Sequence, residues 1–172
     1  DAGASWLPVF SSGRMNKVAF GSASVGVAVG DDARILRTTD AGVTWTQSTV
    51  SAGELAITDV AFGDVNTVFA TSGGTIRRST DGGQTFSTIN RPPPAVFITA
   101  VAFSSAQVGV VVGFRGSDVY WTADGGQTWT RGTGAGLASS GISFRDVEFL
   151  DANTAIAVGV EGLSDVGVIL RT

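Results

Sequence analysis

Thr38-Thr39-Asp40-Ala41-Gly42-Val43-Thr44-Trp45 returns as Ser79-Thr80-Asp81-Gly82-Gly83-Gln84-Thr85-Phe86, and again as Thr122-Ala123-Asp124-Gly125-Gly126-Gln127-Thr128-Trp129. The shared pattern is Ser/Thr-x-Asp-x-Gly-x-Thr-Trp/Phe, and its aspartates lie 41 and 43 residues apart. A second series keeps the same period. Val18-Ala19-Phe20, Val60-Ala61-Phe62, Val101-Ala102-Phe103 and Val147-Glu148-Phe149 each open a unit. Val27-Ala28-Val29-Gly30, Val110-Val111-Val112-Gly113 and Ile156-Ala157-Val158-Gly159 follow, with Phe69-Ala70-Thr71-Ser72 at that place in the second unit. Ile35-Leu36-Arg37, Ile76-Arg77-Arg78, Val119-Tyr120-Trp121 and Ile169-Leu170-Arg171 come next.

These runs are too short for helices and are bounded by Gly, Asp, Asn and Ser, so they read as strands. Four strands in about 42 residues is the period of a β-propeller blade. The expected fold is all-β, a propeller of four-stranded antiparallel blades, four of them visible, in a single domain over residues 1–172. The blades fall at about 15–49, 57–90, 97–131 and 143–172. Within each, strand a is Val-Ala-Phe, b the Val/Ala-Gly run, c the Ile-Leu-Arg run and d the Thr-Trp run. No helix is expected.

Asp1-Ala2-Gly3-Ala4-Ser5-Trp6 repeats the second half of the motif, and Val168-Ile169-Leu170-Arg171-Thr172 repeats its first half. The N-terminal segment therefore reads as a d strand over 4–10. Either that strand completes the fourth blade and closes a four-bladed ring, or the chain is a stretch of a longer propeller. Both cuts fall inside a tight turn, and the first residue is Asp rather than Met. The second reading is therefore favoured.

Composition removes much enzyme chemistry. There is no Cys and no His in 172 residues, hence no thiol nucleophile, no zinc knuckle, no Ser-His-Asp triad and no imidazole ligand. A net charge of −4 argues against a general nucleic-acid binder. Only 15% of residues are charged and 24 are Gly, while 43% hydrophobic content argues against disorder. No apolar run approaches the roughly 18 residues of a membrane span, and no signal peptide is seen.

The motif spans the c–d hairpin. Asp and Ser/Thr side chains accept hydrogen bonds from nearby backbone N–H groups and fix a turn. Gly42, Gly83 and Gly126 can supply positive φ. Thr44, Thr85 and Thr128 suit the start of strand d, and Trp45, Phe86 and Trp129 offer large apolar groups to bury between blades. A catalytic reading of Asp40, Asp81 or Asp124 would have to explain why the same residue recurs in each blade.

The motif resembles the Asp-box, or BNR, repeat of sialidases, xyloglucan-cleaving glycosidases and sortilin-type receptors. The fuller pattern, from Val-Ala-Phe to Ile-Leu-Arg-Thr-Thr-Asp-x-Gly-x-Thr-Trp, is most similar to the photosystem II assembly and stability factor family, over essentially the whole chain. The resemblance implies a propeller in which the Asp-box is a folding element away from the ligand face. It also implies an extracytoplasmic protein, in periplasm, lumen or medium, docked on a membrane complex.

Antiparallel connectivity puts the b–c and d–a loops on one face, where propeller ligands usually bind. Glycosidases need two carboxylates about 5 to 10 Å apart. Candidates there are Asp31, Asp32, Glu54, Glu161 and Asp165, although Asp31-Asp32 reads more simply as a hairpin turn. The single Tyr, Tyr120, sits on strand c beside Trp121, which suits packing better than a sialidase nucleophile. Arg37, Arg78 and Arg171 share one blade position and read as braces before the turn, or as an arginine row facing an acidic partner. An oxygen-ligand calcium site at Asp31, Asp32 or Asp118 has no support from spacing. Gly73-Gly74 and Gly116 form no phosphate loop, since no helix follows.

Arg91-Pro92-Pro93-Pro94 is a stiff loop that would present cheaply to a partner, and Phe114-Arg115 tips a b–c loop in the next blade. Arg91, Pro92, Pro93, Pro94, Phe114 and Arg115 are the expected protein-binding residues. No cofactor, metal or catalytic residue is expected. The leading expectation is a non-catalytic scaffold or binding subunit that docks on, or helps assemble, a membrane complex, which the family resemblance implies is a photosynthetic one. The runner-up is a carbohydrate-active propeller, a glycosidase fragment or a lectin-like binder, and a third option is a peptide-binding receptor ectodomain.

Overall fold

The computed structural model of the chain describes residues 5–50, 56–93, 96–114, 116–137, 141–162 and 166–172. Four antiparallel sheets follow one another along the sequence. The first holds β1 (Met15–Phe20), β2 (Gly26–Gly30), β3 (Ile35–Thr38) and β4 (Thr46–Gln47). The second holds β5 (Asp59–Phe62), β6 (Val68–Ser72), β7 (Thr75–Ser79) and β8 (Ser87–Ile89). The third holds β9 (Ile98–Phe103), β10 (Gly109–Gly113), β11 (Val119–Thr122) and β12 (Thr130–Arg131). The fourth has three strands, β13 (Ile142–Phe149), β14 (Ala155–Glu161) and β15 (Val166–Arg171). In each sheet the strands lie in sequence order, as in a propeller blade.

The middle strands are near-continuous apolar runs because the sheets stack face to face. All five residues of β6 and of β10 are buried. Val27, Val29 and Ile35 of the first sheet meet Val60, Val68 and Phe86 of the second. Phe69 and Ile76 of the second meet Val101, Phe103, Val111 and Tyr120 of the third. Val110 and Val112 meet Ile142, Phe144 and Val147 of the fourth. Tyr120 is thus a packing residue, 3% exposed.

The inner strands pack in succession, β1 on β5, β5 on β9 and β9 on β13. No comparable packing joins β13 to β1 among the described residues, so the four sheets form an open arc. The N-terminal d strand expected over 4–10 is corrected here. Residues 5–10 lie in no strand, and the fourth sheet stops at β15. Trp6 is 87% exposed. A single 3-10 turn, Ala135–Leu137, is the helical element among the described residues.

Cross-turn bonds separate the two faces. Ala41 N–H donates to Ser24 O, Gly82 N–H to Asn66 O and Gly125 N–H to Gln107 O, so the c–d turns sit with the a–b turns. On the opposite face the loop after β2 meets the segment before β1 (Asp31 N–H to Arg14 O), and the loop after β10 meets the segment before β9 (Phe114 N–H to Phe97 O).

Candidate functional site

Each recurring aspartate closes the same local circuit. Thr38 Oγ1 donates to Asp40 Oδ1 (2.8 Å) and accepts from Gly42 N–H (2.9 Å). Asp40 then accepts from Thr44 N–H (2.8 Å) and from Thr44 Oγ1 (2.6 Å). Ser79, Asp81, Gly83 and Thr85 repeat the circuit, as do Thr122, Asp124, Gly126 and Thr128. The two turn residues after each Asp have left-handed φ, 60° and 85° at Ala41 and Gly42, 69° and 88° at Gly82 and Gly83. The hydroxyls of Thr44 and Thr128 hold the carboxyls of Asp40 and Asp124 at about 2. At Asp81 burial pushes upward, and the Thr85 and Ser79 bonds outweigh it, again to about 2. Carboxylates so bound are acceptors already in use, and each serves its own turn.

The turns also join blades. Phe86 is buried against the first sheet. Trp129 packs edge-on to Phe103, and its Nε1 donates to Asn90 O of the second blade (3.0 Å). Trp45 lies against Phe20 of its own blade, and its Nε1 donates to Gly42 O. Arg37 Nε donates to Gly82 O in the next blade's turn (2.8 Å), and Arg78 lies over the Phe69 ring. Arg37 thus braces a seam, Arg78 packs on a ring of its own sheet, and Arg171 is exposed at the end of β15.

On the opposite face, the expected carboxylates among the described residues lie on different blades, Asp31 and Asp32 after β2 and Glu161 at the end of β14. Asp32 and Ala33 have φ of 56° and 54°, the signature of a tight hairpin turn. Asp31 accepts from Asn16 Nδ2 (3.0 Å) and lies 3.8 Å from Arg14 Nε. Glu161 sits across the fourth sheet, paired in register with Ile142. Asp118 faces Arg131 at 3.7 Å, and burial raises its carboxyl more than that arginine lowers it. Glu54 and Asp165 lie outside the described residues. No group of three or more potential metal ligands occurs among the described residues.

The face does assemble a ridge of aromatic and cationic groups. A Cβ on Gly73 would touch Phe97, and one on Gly74 would touch Arg91 Nη1, so these two side chains cover the loop after β6. Phe97 is 58% exposed, and its carbonyl accepts from Phe114 N–H. Arg145 lies over the Phe114 ring, 6.0 Å from its centroid. Of the expected binding residues, Arg91 and Pro93 are exposed, Phe114 is half-buried, and Pro94 and Arg115 lie outside the described residues. Pro92 is buried, which corrects its place as a contact: the loop's first proline packs inward.

Arg145 escapes a reading of the repeat. It is the unpaired residue of a bulge in β13, between Phe144 and Asp146. The matching bulge residues, Asn16 and Thr99, spend their side chains on Ile57 O and Phe144 O of the following blade. At Arg145 the side chain turns to Phe114 instead.

The axis carries a second polar cluster. Lys17, Asp59 and Asp146 occupy the place three residues before Phe20, Phe62 and Phe149. Lys17 Nζ lies 3.5 Å from Asp59 Oδ1 and 3.8 Å from Asp146 Oδ1. Asp59 accepts from Val101 N–H (2.8 Å) and Val60 N–H (2.9 Å). Burial raises its carboxyl, and the Val101 bond and Lys17 pull it back only in part. The signal in the sequence was a charged residue before an apolar Val-x-Phe strand, with the partner 42 residues away.

The sequence matches no protein-family model and no curated protein sequence. Solved structures match the fold. YCF48 bound to a D1 peptide superposes at a TM-score of 0.73, with 19% identity over 92% of this chain and 50% of that one. YCF48 from Cyanidioschyzon merolae gives 0.70 and 19%, over 99% and 52%. An ancestral GH74 enzyme gives 0.69 and 18%, over 89% and 23%. This chain thus spans about half the length of the two YCF48 chains, and the shared feature is the β-propeller fold.

Proposed function

We propose that the chain is a non-catalytic binding scaffold that holds a protein partner on the ridge of Arg91, Phe97, Phe114 and Arg145. The observation that carries this reading is the stack of Arg145 on Phe114 beside exposed Phe97. Aromatic and arginine side chains on a rigid support are the usual anchors of protein interfaces. The turn aspartates and Asp31 are engaged in structural bonds, which leaves them poorly suited to acid–base work.

The fold likeness to YCF48, solved bound to a D1 peptide, supports a peptide segment as the partner. In this reading the protein is extracytoplasmic, carries Asp-box turns, and docks on a membrane complex that it helps assemble or stabilise, a photosynthetic one by resemblance. The fold likeness to GH74 enzymes favours a second reading, a carbohydrate-active propeller.

One experiment separates the two. The immobilised chain is incubated with detergent-solubilised membranes of the source organism, and in parallel with xyloglucan. The scaffold should retain a membrane protein complex, lose it about tenfold in Phe97→Ala/Phe114→Ala/Arg145→Ala, a loss near 1.4 kcal/mol, and release no sugar. Sugar release abolished by Asp31→Asn, Asp32→Asn or Glu161→Gln would overturn the proposal.

A further inference from the structure

We propose that Asp81-Gly82 and Asp124-Gly125 are isomerisation sites that the folded blade turn holds shut, so that isoaspartate forms at them when a turn opens and then keeps that turn from re-forming. Asp81 and Asp124 are the two aspartates of the sequence that precede Gly; the others precede Ala, Asp or Val. A following Gly favours the reaction, because no side chain shields its nitrogen and its backbone turns freely. No Asn precedes Gly, so deamidation at such a pair adds no isoaspartate of its own.

The reaction needs only water besides the chain. The Gly nitrogen attacks Cγ of the neutral carboxyl and a C–N bond forms. The carboxyl hydroxyl leaves with the nitrogen's proton as water. Water then opens the cyclic imide. Cleavage at Cγ returns aspartate, whereas cleavage at the main-chain carbonyl leaves the chain running through Cγ. The product has an unchanged mass, one more methylene in its backbone and a carboxylate directly on Cα.

The folded turn blocks each requirement. The attacking nitrogens are committed to carbonyls of the a–b turns: Gly82 N–H donates to Asn66 O at 2.8 Å, and Gly125 N–H to Gln107 O at 2.9 Å. The carboxylates are committed too. Asp81 Oδ1 accepts from Ser79 Oγ, Gln84 N–H and Thr85 N–H, and its Oδ2 from Thr85 Oγ1 at 2.6 Å. Asp124 Oδ1 accepts from Thr122 Oγ1 and Thr128 N–H, and its Oδ2 from Thr128 Oγ1 at 2.6 Å. Burial pushes the Asp81 carboxyl up and these bonds outweigh it; at Asp124 the Thr128 hydroxyl leads the lowering, and both sit at about 2 against an ordinary 3.8. The neutral acid is then about sixtyfold scarcer than in the open chain. Ring closure also needs rotation at the Asp–Gly bond. The left-handed pairs, 69° and 88° at Gly82 and Gly83, 70° and 83° at Gly125 and Gly126, are pinned by Ser79 Oγ on Gly83 N–H and Thr122 Oγ1 on Gly126 N–H.

An isoaspartate at either place cannot rebuild the circuit, since its carboxylate no longer stands two bonds out from Cα to meet Thr85 or Thr128. Phe86 then loses the turn that seats it against Val27 and Ile35, and Trp129 the turn that seats it against Phe103. An opening that would otherwise reverse is captured by chemistry. Asp40 shares the circuit but precedes Ala41, whose φ is 60°, so the first turn keeps the geometry without such a site.

The test follows isoaspartate in the whole chain at about pH 6, folded in buffer and unfolded in guanidinium chloride, by peptide mapping with enzymatic isoaspartyl methylation. In denaturant Asp81 and Asp124 should gain it well ahead of Asp40, and Gly82→Ala, the pairing that the first turn already carries, should silence Asp81 alone. In the folded chain both sites should slow by about sixtyfold or more. Thr85→Val removes one hydroxyl donor at constant shape and should speed Asp81 about tenfold in the folded chain, with Asp124 unchanged as the measure of intact fold. Equal rates at Asp81 and Asp124 in the folded and unfolded chain would overturn the proposal. So would a Thr85→Val chain in which Asp124 keeps its folded rate and Asp81 is no faster than before.

Discussion

Thr44 Oγ1 donates to Asp40 Oδ2 at 2.6 Å, and the same 2.6 Å contact recurs from Thr85 to Asp81 and from Thr128 to Asp124. A contact copied at each turn is a building element of the blade. It converts a two-residue left-handed turn, unfavourable for most L-residues, into a fixed platform for the aromatic residue of strand d.

Removing one such carboxylate should loosen a seam. Asp81→Ala deletes the bonds from Ser79, Gln84 and Thr85, each worth about 1 kcal/mol net. Asp81→Asn keeps an acceptor oxygen and should cost less. Thermal unfolding should rank the melting temperatures wild type, Asp81→Asn, Asp81→Ala.

The aromatic that the turn positions should matter more than the turn. Phe86 is 6% exposed and packs on Val27, Val29 and Ile35. Phe86→Ala should cost about 3–5 kcal/mol, since the stacked sheets cannot collapse freely into the void. At about 2–4 °C per kcal/mol for a chain of this size, differential scanning calorimetry should register the drop easily.

Gly83 tests both constraints at once. Its φ is +88°, and a Cβ there would stand 2.4 Å from Val27 Cγ2 in the neighbouring blade. Gly83→Ala should lose about 1–2 kcal/mol from the left-handed backbone and a similar amount from overpacking. Denaturant unfolding should show a lowered midpoint with an unchanged slope.

At the axis, the direction with pH is opposite to that of the turns. Burial raises the Asp59 carboxyl, so the folded state binds its proton more tightly than the unfolded state does. That group's contribution falls as pH rises from its unfolded value through its folded one. Lys17 offsets part of this penalty. Lys17→Met should therefore destabilise the chain more at pH 7 than at pH 4, and Asp59→Asn in the same background should abolish the difference.

The blades and their turns were legible because the signals are local. Four strands and a Thr-x-Asp-x-Gly-x-Thr circuit lie within one repeat, and the circuit's partners are at most four residues apart. What was not legible depends on residues a blade apart. Arg37 reaches Gly82, and Lys17 reaches Asp59, across 45 and 42 positions. Arg145 could not be foreseen over Phe114, because a bulge sets its direction and a bulge leaves no mark in an alternating pattern. The N-terminal pattern was visible at Asp1 to Trp6, but a local match does not make a strand without a neighbour to pair with, and residues 5–10 lie in none.

The most direct measurement is the carbon-13 NMR titration of the aspartate carboxyl groups between pH 1.5 and 6. Asp40, Asp81 and Asp124 should titrate together at about 2, against an ordinary 3.8. Because their folded values are depressed, the stability they contribute is complete above about pH 4 and is lost as pH falls toward 2. The melting temperature should fall over that same window. Midpoints at or above 4 for these three residues, as an acid–base role would require, would contradict their assignment to the fold.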